Sequence, residues 1–272
     1  MNHLLLVLAL VAASHAQTLQ CGQTSIKPHP QVSNAILNGS PALPYSWPWM
    51  AALCKNNWFG QCEYQCAGVI IGKRWIMSNT NCMTKQGHSQ DWRIRTGVYD
   101  ESKGNDAAER TYKIAYLILG TVALYQTDSD IVFDSYRQPV CLPESDGSAT
   151  DSGKYGRITG WGYQKKGGSV QKNLNEATIM FDDIQTCSST YDDTGINYEG
   201  KLCAGTGTTT ICNHDEGDPI VVQSSNGRWY MHGIAYEIDK DCRLPGIFNR
   251  ISYNCDDIKK DTKGEVTCVE RS

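Results

Sequence analysis

The hydrophobic positions of this chain form short runs separated by clusters of turn-forming residues. β-branched and aromatic residues recur at 68–77, 92–99, 114–125, 157–163, 219–222, 229–236 and 246–252, between clusters of Gly, Asn, Asp and Ser. Helical periodicity is nearly absent before the C-terminal end. The pattern predicts an all-β protein. The longest apolar run, 114–125, predicts two buried strands around Gly120 rather than one helix.

The N-terminus has the pattern of a secretory signal peptide. An apolar run from Leu4 to Ala13 is followed by small residues, so we expect residues 1–16 to be removed and Gln17 to begin a secreted, extracellular chain. Ten apolar residues are too few for a membrane-spanning helix, which needs roughly 20. Charges of both signs, with a net charge of −4, provide neither a basic surface for nucleic acid nor a polybasic membrane segment. We expect a monomer with no nucleic-acid partner and no membrane insertion.

The cysteines predict disulfide bonds rather than a metal or redox site. There are 12, an even number, and no Cys-x-x-Cys pair occurs. His214, Asp215, Glu216 and Asp218 carry ligand-type side chains, but successive residues on a tight loop rarely converge on one ion. We therefore predict neither a metal nor another cofactor.

A series of short motifs occurs in a fixed order between residue 21 and about residue 258. They are Cys21-Gly22, Ile36-Leu-Asn-Gly39, Ser46-Trp-Pro-Trp49, Cys66-Ala-Gly-Val-Ile-Ile71, Arg74-Trp-Ile-Met-Ser-Asn-Thr-Asn-Cys82, Pro139-Val-Cys-Leu-Pro143, Thr159-Gly-Trp-Gly162, Cys203-Ala-Gly205, the loop 211–222 and Gly227-Arg-Trp-Tyr-Met-His-Gly-Ile234. In this order they resemble the chymotrypsin-like serine proteases.

The resemblance implies two antiparallel six-stranded Greek-key β-barrels and a short C-terminal helix. Residues 17–35 correspond to a propeptide-like segment tethered by a disulfide, and 36–258 to the protease homology domain, with barrels at about 36–140 and 141–254. Residues 255–272 form a C-terminal extension with a disulfide loop.

The resemblance also implies most of the disulfide pairing. The family pattern gives Cys21–Cys141, Cys66–Cys82, Cys187–Cys203 and Cys212–Cys242. A further family bridge would join positions 156 and 222, where this chain has Gly156 and Val222. The four remaining cysteines are then assigned to two short-range pairs, Cys54–Cys62 and Cys255–Cys268.

Two catalytic positions of the family carry residues that cannot perform its chemistry. Asn81 stands where the catalytic histidine precedes a cysteine, and an amide cannot take a proton from a hydroxyl at neutral pH. Glu216 stands at the nucleophilic serine, and its ionised carboxylate would repel an oxyanion.

The third catalytic position has two candidates. Asp130 fits because Asp130-Ile131 matches the Asp-Ile motif of the family, but only eleven positions separate it from Cys141, too few for the strand and turn that follow in the family. Either the first barrel has lost a strand, as a splice variant could, or the register differs and Asp128 is the match. Both aspartates could equally be solvated loop residues.

The positions for substrate binding and activation have changed as well. Thr210 lies at the base of the former specificity pocket, Tyr236 replaces the serine of the substrate-pairing strand, and Gly246 is retained. Bulky side chains at these positions are expected to close the pocket. Ala35 precedes Ile36, so a trypsin-like activator would not cut there.

Asp215, which in the family receives the new amino group after activation, is retained as a structural carboxylate. Asn38 begins a glycosylation sequon.

These features predict a secreted, non-catalytic serine protease homologue that binds an unknown secreted or surface protein, as a protease cofactor, an inhibitor decoy or an innate-immune binding protein. Two alternatives remain at this point. One is a hydrolase with an unorthodox site that uses Glu216 or Asp130, and the other is a misassembled product without a stable first barrel.

Overall fold

The computed structural model describes residues 20–29, 39–84, 89–103, 107–191, 195–205, 209–237, 239 and 241–271. The predicted signal peptide, the Ala35–Ile36 bond and the sequon at Asn38 lie outside these residues. The described chain is built almost entirely from antiparallel strands, as the hydrophobic pattern predicts.

The first barrel closes from six strands in the order β2-β3-β4-β7-β6-β5. Its strands are β2 (Met50–Asn56), β3 (Cys62–Gly72), β4 (Trp75–Ser78), β5 (Trp92–Thr96), β6 (Arg110–Leu119) and β7 (Ala123–Thr127). A four-residue helix, α1 (Asn81–Thr84), and a 3-10 turn (Ser89–Asp91) connect β4 to β5.

The second barrel closes through pairing of its first two strands. Its strands are β8 (Tyr155–Gly160), β9 (Asn175–Asp182), β10 (Lys201–Ala204), β11 (Pro219–Gln223), β12 (Trp229–Glu237) and β13 (Gly246–Arg250), and β1 (Ser40–Pro41) adds to the edge of β9. The helices α2 (Ile184–Thr190) and α3 (Cys255–Asp261) and a 3-10 turn (Ser252–Asn254) complete the elements. The two barrels and the short C-terminal helix confirm the predicted fold.

The first barrel is complete, which corrects the prediction that it could be shortened. The apolar run 114–125 divides into β6 and β7 around Gly120, whose N–H donates to the Val122 carbonyl. β7 then pairs with both β4 and β6 and closes the barrel. The strand that seemed to be missing after Asp130 therefore lies before it, and the idea of an unstable first barrel loses its only support.

Aromatic packing joins the two barrels. Trp47 lies between Trp49 and Trp229, with ring centroids 5.6 and 4.9 Å away, and all three side chains are buried. Edge-to-face rings of this kind bind through dispersion and through their quadrupoles. The second barrel has its own apolar core around Phe181 and Phe248.

The six predicted disulfides are all present. They are Cys21–Cys141, Cys54–Cys62, Cys66–Cys82, Cys187–Cys203, Cys212–Cys242 and Cys255–Cys268. Gly156 and Val222 lie on the paired strands β8 and β11, one residue beyond the Val221–Arg157 pair. The positions that lack the seventh bridge are thus neighbours in space.

The C-terminal extension packs back onto the barrels. The Glu265 carboxylate accepts a hydrogen bond from Nε1 of Trp75 at 2.8 Å, and the side chain of Val266 is buried. The Val269 N–H donates to the Leu142 carbonyl at 2.8 Å. The extension therefore joins the first barrel to the segment between the barrels.

Candidate functional site

A cleft of about 340 Å³ lies between the barrels and brings Asn81 and Glu216 together. The first barrel contributes Gln65, Cys66, Asn81 and Cys82, and the second contributes Tyr163, Asn213, His214 and Glu216. The lining includes three side-chain amides. Two of the three predicted catalytic positions therefore face one cavity.

Asn79 positions the backbone of Asn81 and also joins the barrels. Its side-chain N–H₂ group donates to the carbonyls of Ala235 and Tyr236, both at 2.8 Å, while its Oδ1 accepts from the Asn81 N–H at 2.8 Å. The side chain is buried, so each of these bonds is shielded from competing water. Sequence reasoning missed Asn79, because nothing in a single asparagine shows that it bonds to a strand more than 150 residues away.

Thr121, rather than Asp130 or Asp128, lies at the end of β7 that is next to Asn81. In the family the aspartate precedes a strand, and here Thr121-Val122 precedes β7, whose Ala123 pairs with Ser78 just before Asn81. The Thr121 carbonyl accepts from Asn249 at 2.7 Å. A threonine hydroxyl cannot hold the negative charge that orients and stabilises an imidazolium.

Asp128 and Asp130 lie at the opposite end of β7. Asp128 accepts from the Lys113 N–H at 3.1 Å, and Asp130 forms an exposed ion pair with Arg74 at 3.8 Å. The length of β7, about 13 Å at 3.3 Å per residue, separates both aspartates from the Asn81 end of the barrel. Both are surface carboxylates, the alternative that the sequence left open.

The loop that carries Glu216 is tied to β3 of the first barrel. Tyr64 donates its hydroxyl to the His214 carbonyl at 3.2 Å, and the Ala67 N–H donates to the Glu216 carbonyl at 3.1 Å. Burial, with the nearby carboxyls of Asp218 and Asp215, raises the pKa of Tyr64 well above its ordinary value, so it stays a donor.

His214 holds an unusual backbone conformation and a fixed ring. Its φ of 69° lies in the left-handed region, which favours glycine. The ring stacks on Tyr163 with centroids 4.8 Å apart, and Nδ1 lies 3.2 Å from the Gln65 carbonyl. The imidazole therefore covers part of the surface where the family has only a glycine.

Beneath this loop lies a buried pair of carboxyl groups, Asp215 and Asp218. Desolvation raises the pKa of Asp215 to about 7, against the opposing effect of its hydrogen bond from the Cys212 N–H at 2.7 Å. Desolvation also raises the pKa of Asp218 well above its ordinary value, and the charge of Asp215 adds to it. Because Asp215 has the backbone donors, we assign the carboxylate to Asp215 and the shared proton to Asp218.

The pair fits only because the strand β8 and its following loop carry glycines. A Cβ at Gly160 would lie 1.8 Å from the Asp218 carboxyl, and one at Gly162 would lie 1.9 Å from that of Asp215. The described side chain of Asp218 is almost fully buried. The sequence analysis considered Asp218 only as a ligand-type side chain and missed its burial, which depends on the opposing glycines.

The positions of the former specificity pocket are packed together. The Thr210 hydroxyl donates to the Leu244 carbonyl at 2.6 Å, and Ile211 packs so closely on Gly246 that a Cβ there would lie 2.4 Å from it. The Tyr236 ring lies 4.7 Å from the Lys201 ammonium, at a distance typical of a cation–π contact. Each of the three positions is thus held by contacts within the second barrel.

The two closed barrels and the cleft between them define the class of the protein, and its sequence agrees. Residues 36–257 match the family model Trypsin, so the chain belongs to the trypsin family and contains a trypsin-like serine protease domain.

Among its relatives is human transmembrane protease serine 11B, which is 27% identical over 89% of this chain and 59% of that protein. Serine proteinase stubble of Drosophila melanogaster is 29% identical over 89% of this chain and 33% of that protein. The chain thus spans less than two thirds of these relatives. Within the described residues, every helix is too short or too polar to cross a bilayer.

Proposed function

We propose that this chain is a secreted, non-catalytic member of the trypsin family that acts by binding another protein. The observation that carries the proposal is that Asn81 and Glu216 face one cleft, while Thr121 lies just before β7 at the Asn81 end of the first barrel. We infer that these three residues stand at the positions of the catalytic unit. Secretion rests on the signal-peptide pattern of residues 1–16 and on six disulfides, which persist in oxidising compartments.

Each replacement removes a different part of the chemistry. Asn81 cannot act as a base, Thr121 cannot orient one by charge, and the carboxylate of Glu216 is a poor acceptor of a developing oxyanion. In a related triad enzyme, loss of the nucleophile–base unit lowers turnover by about 10⁶, or roughly 8 kcal/mol of activation free energy. Residual turnover of that size would not support a protease function.

The remaining cleft suits binding better than turnover. Its lining offers amide, imidazole, phenol and carboxylate groups that can hydrogen-bond a partner, while Ile211 packs against Gly246 of the former specificity pocket. Such a partner could be a protease, an inhibitor or a microbial surface protein, the three roles that we expect for a homologue of this kind.

Active-site labelling tests the loss of catalysis. We expect no reaction with a fluorophosphonate probe and no peptide cleavage by the wild type, by Glu216→Ser or by the double variant with Asn81→His. The single variant lacks a base, and the double variant lacks the carboxylate that Thr121 has replaced. Active trypsin serves as the positive control, and a triple variant with Thr121→Asp checks whether the pocket and loop also block activity.

Labelling of the wild type that disappears on Glu216→Gln would show a rebuilt hydrolytic site and overturn the proposal. Such a site would have to use Glu216, since Asp130 lies at the far end of β7. Binding is tested by cross-linking in the native fluid with the wild type, with Gln65→Arg in the cleft, and with Asp151→Arg on an exposed loop. We expect capture of one partner to be lost in the cleft variant alone.

A further inference from the structure

The hairpin between β2 and β3 ends in two aromatic side chains that no other part of the described chain covers. Trp58 is 97% exposed and Phe59 is 86% exposed. The other six tryptophans of the chain are each at most 7% exposed. We call the turn 57–60 and these two rings the aromatic knob. Adjacent, fully exposed large rings are unusual on a soluble surface and mark a contact site.

The knob is held rigidly. The Cys54–Cys62 disulfide staples the hairpin, and the strand pairing continues to Asn56 and Cys62 at the base of the turn. The Gly60 N–H donates to the Asn57 carbonyl at 2.9 Å, which closes a four-residue turn with Trp58 and Phe59 at its centre. Because the rings project from an already ordered turn, docking costs little backbone entropy.

Most backbone N–H groups of the turn are bonded within the hairpin. The Asn57 side-chain oxygen accepts from the N–H groups of Phe59 and Gln61, both at 2.9 Å, and the Asn57 N–H donates to the Gln61 carbonyl at 2.8 Å. Unpaired backbone donors are what normally prevents a loop from leaving water. This turn can lose water around its tip with most of its N–H groups already bonded.

Charge and shape select the occupant. Lys55 and Glu63 pair across the hairpin, so the charges nearest the tip cancel. The knob is convex, and two aromatic rings bury about 150–250 Å² each, well below the roughly 800 Å² per partner of a stable protein interface. We propose that the aromatic knob docks into the interfacial region of an uncharged phospholipid bilayer, where tryptophan and other aromatic rings are favoured.

This proposal is independent of the cleft and of catalysis. It also differs from the expectation from the sequence, because the charge pattern gave no reason to expect a membrane surface as a partner. The contact is peripheral, since only the turn enters the interface and the strands stay in water.

Vesicle binding tests the knob directly. The full secreted chain is mixed with phosphatidylcholine vesicles, and the bound fraction is measured by flotation while tryptophan emission is recorded. We expect binding together with a blue shift, because Trp58 is the one tryptophan that leaves water. Trp58→Ser with Phe59→Ser should lower the partition coefficient by roughly tenfold or more for each ring removed. Tyr116→Ser, an exposed aromatic on another strand, is the matched control and should bind as the wild type does.

Absence of binding by the wild type would overturn the proposal, as would equal binding by the double variant. Binding that requires phosphatidylserine and disappears in high salt would show attraction by charge and would also overturn it. Sedimentation velocity tests whether a second copy of this chain, rather than a bilayer, covers the knob. A dimer that the double variant abolishes, without vesicle binding by the wild type, would assign the knob to a second copy of this chain. Circular dichroism and thermal unfolding verify that each variant is folded.

Discussion

The buried pair of Asp215 and Asp218 makes the stability of the protein depend on pH in a direction opposite to that of most paired carboxylates. Burial raises the pKa of Asp218 far above its ordinary 3.8 and that of Asp215 to about 7. The folded protein therefore keeps a proton that the unfolded chain has lost. Stability from this proton is fully present below about pH 4 and is lost as pH rises toward the folded-state pKa.

The magnitude follows from the number of protons involved. A folded state that holds one more proton than the unfolded chain loses about 1.4 kcal/mol of unfolding free energy per pH unit. Between pH 4.5 and 7 the proton on Asp218 alone should thus account for a loss of roughly 3 kcal/mol, and the titration of Asp215 adds to it. Asp218→Asn removes the titrating group but keeps a side-chain N–H that can donate to the Asp215 carboxylate. We expect the variant to show a smaller loss, since only Asp215 still titrates, and to be the more stable protein at pH 7.

Urea unfolding at pH 4.5, 6 and 7, with the disulfides intact, measures the effect. Other groups also titrate in this range, so the informative quantity is the difference between variant and wild type at each pH. Asp151→Asn on an exposed loop is the control, and it should follow the wild type throughout. If Asp218→Asn has the same pH dependence as the wild type, the pair does not hold a proton and the assignment is wrong.

Two further predictions concern covalent structure. Gly156→Cys with Val222→Cys should form a seventh disulfide across β8 and β11, which non-reducing peptide mapping would detect. The bridge should raise the unfolding free energy by about 2–4 kcal/mol. Free thiols at both positions would instead show that the two strands are misaligned. N-terminal sequencing of the secreted protein should give Gln17, because a trypsin-like activator does not cut well after Ala35. Recovery of Ile36 as the main N-terminus would instead indicate cleavage by a protease that accepts alanine.

Much of the fold could be predicted because it depends on ordered local motifs. The disulfide pairs and the two barrels follow from short sequences in a fixed order, and the structure confirms them. Asp130, the first candidate for the third catalytic position, lies away from Asn81 for a reason that is visible in the same sequence. The interpretation of 114–125 as two strands around Gly120 was correct. Its second strand, β7, is the strand that the choice of Asp130 would require after residue 130. A dipeptide such as Asp130-Ile131 does not determine strand register, which depends on pairing along the whole of β7.

Other features could not be predicted because they depend on distant partners. The burial of Asp218 requires the absence of a side chain at Gly160, on a strand of the same barrel. The exposure of Trp58 contradicts the general tendency of tryptophan to be buried, and it becomes apparent only when the hairpin is seen to project beyond its neighbours.

Hydrogen bonds across the cleft hold the two barrels in a fixed arrangement. Asn79 bonds from the first barrel to two carbonyls of β12, and Tyr64 bonds from β3 to the loop of His214, whose ring in turn lies against the Gln65 carbonyl. Each of these links crosses the boundary between the barrels. Moving one wall of the cleft would break several buried hydrogen bonds, each costly to leave unmade. A site held in this way presents one fixed surface, which lowers the entropy lost on binding and suits recognition of a partner better than turnover of a substrate.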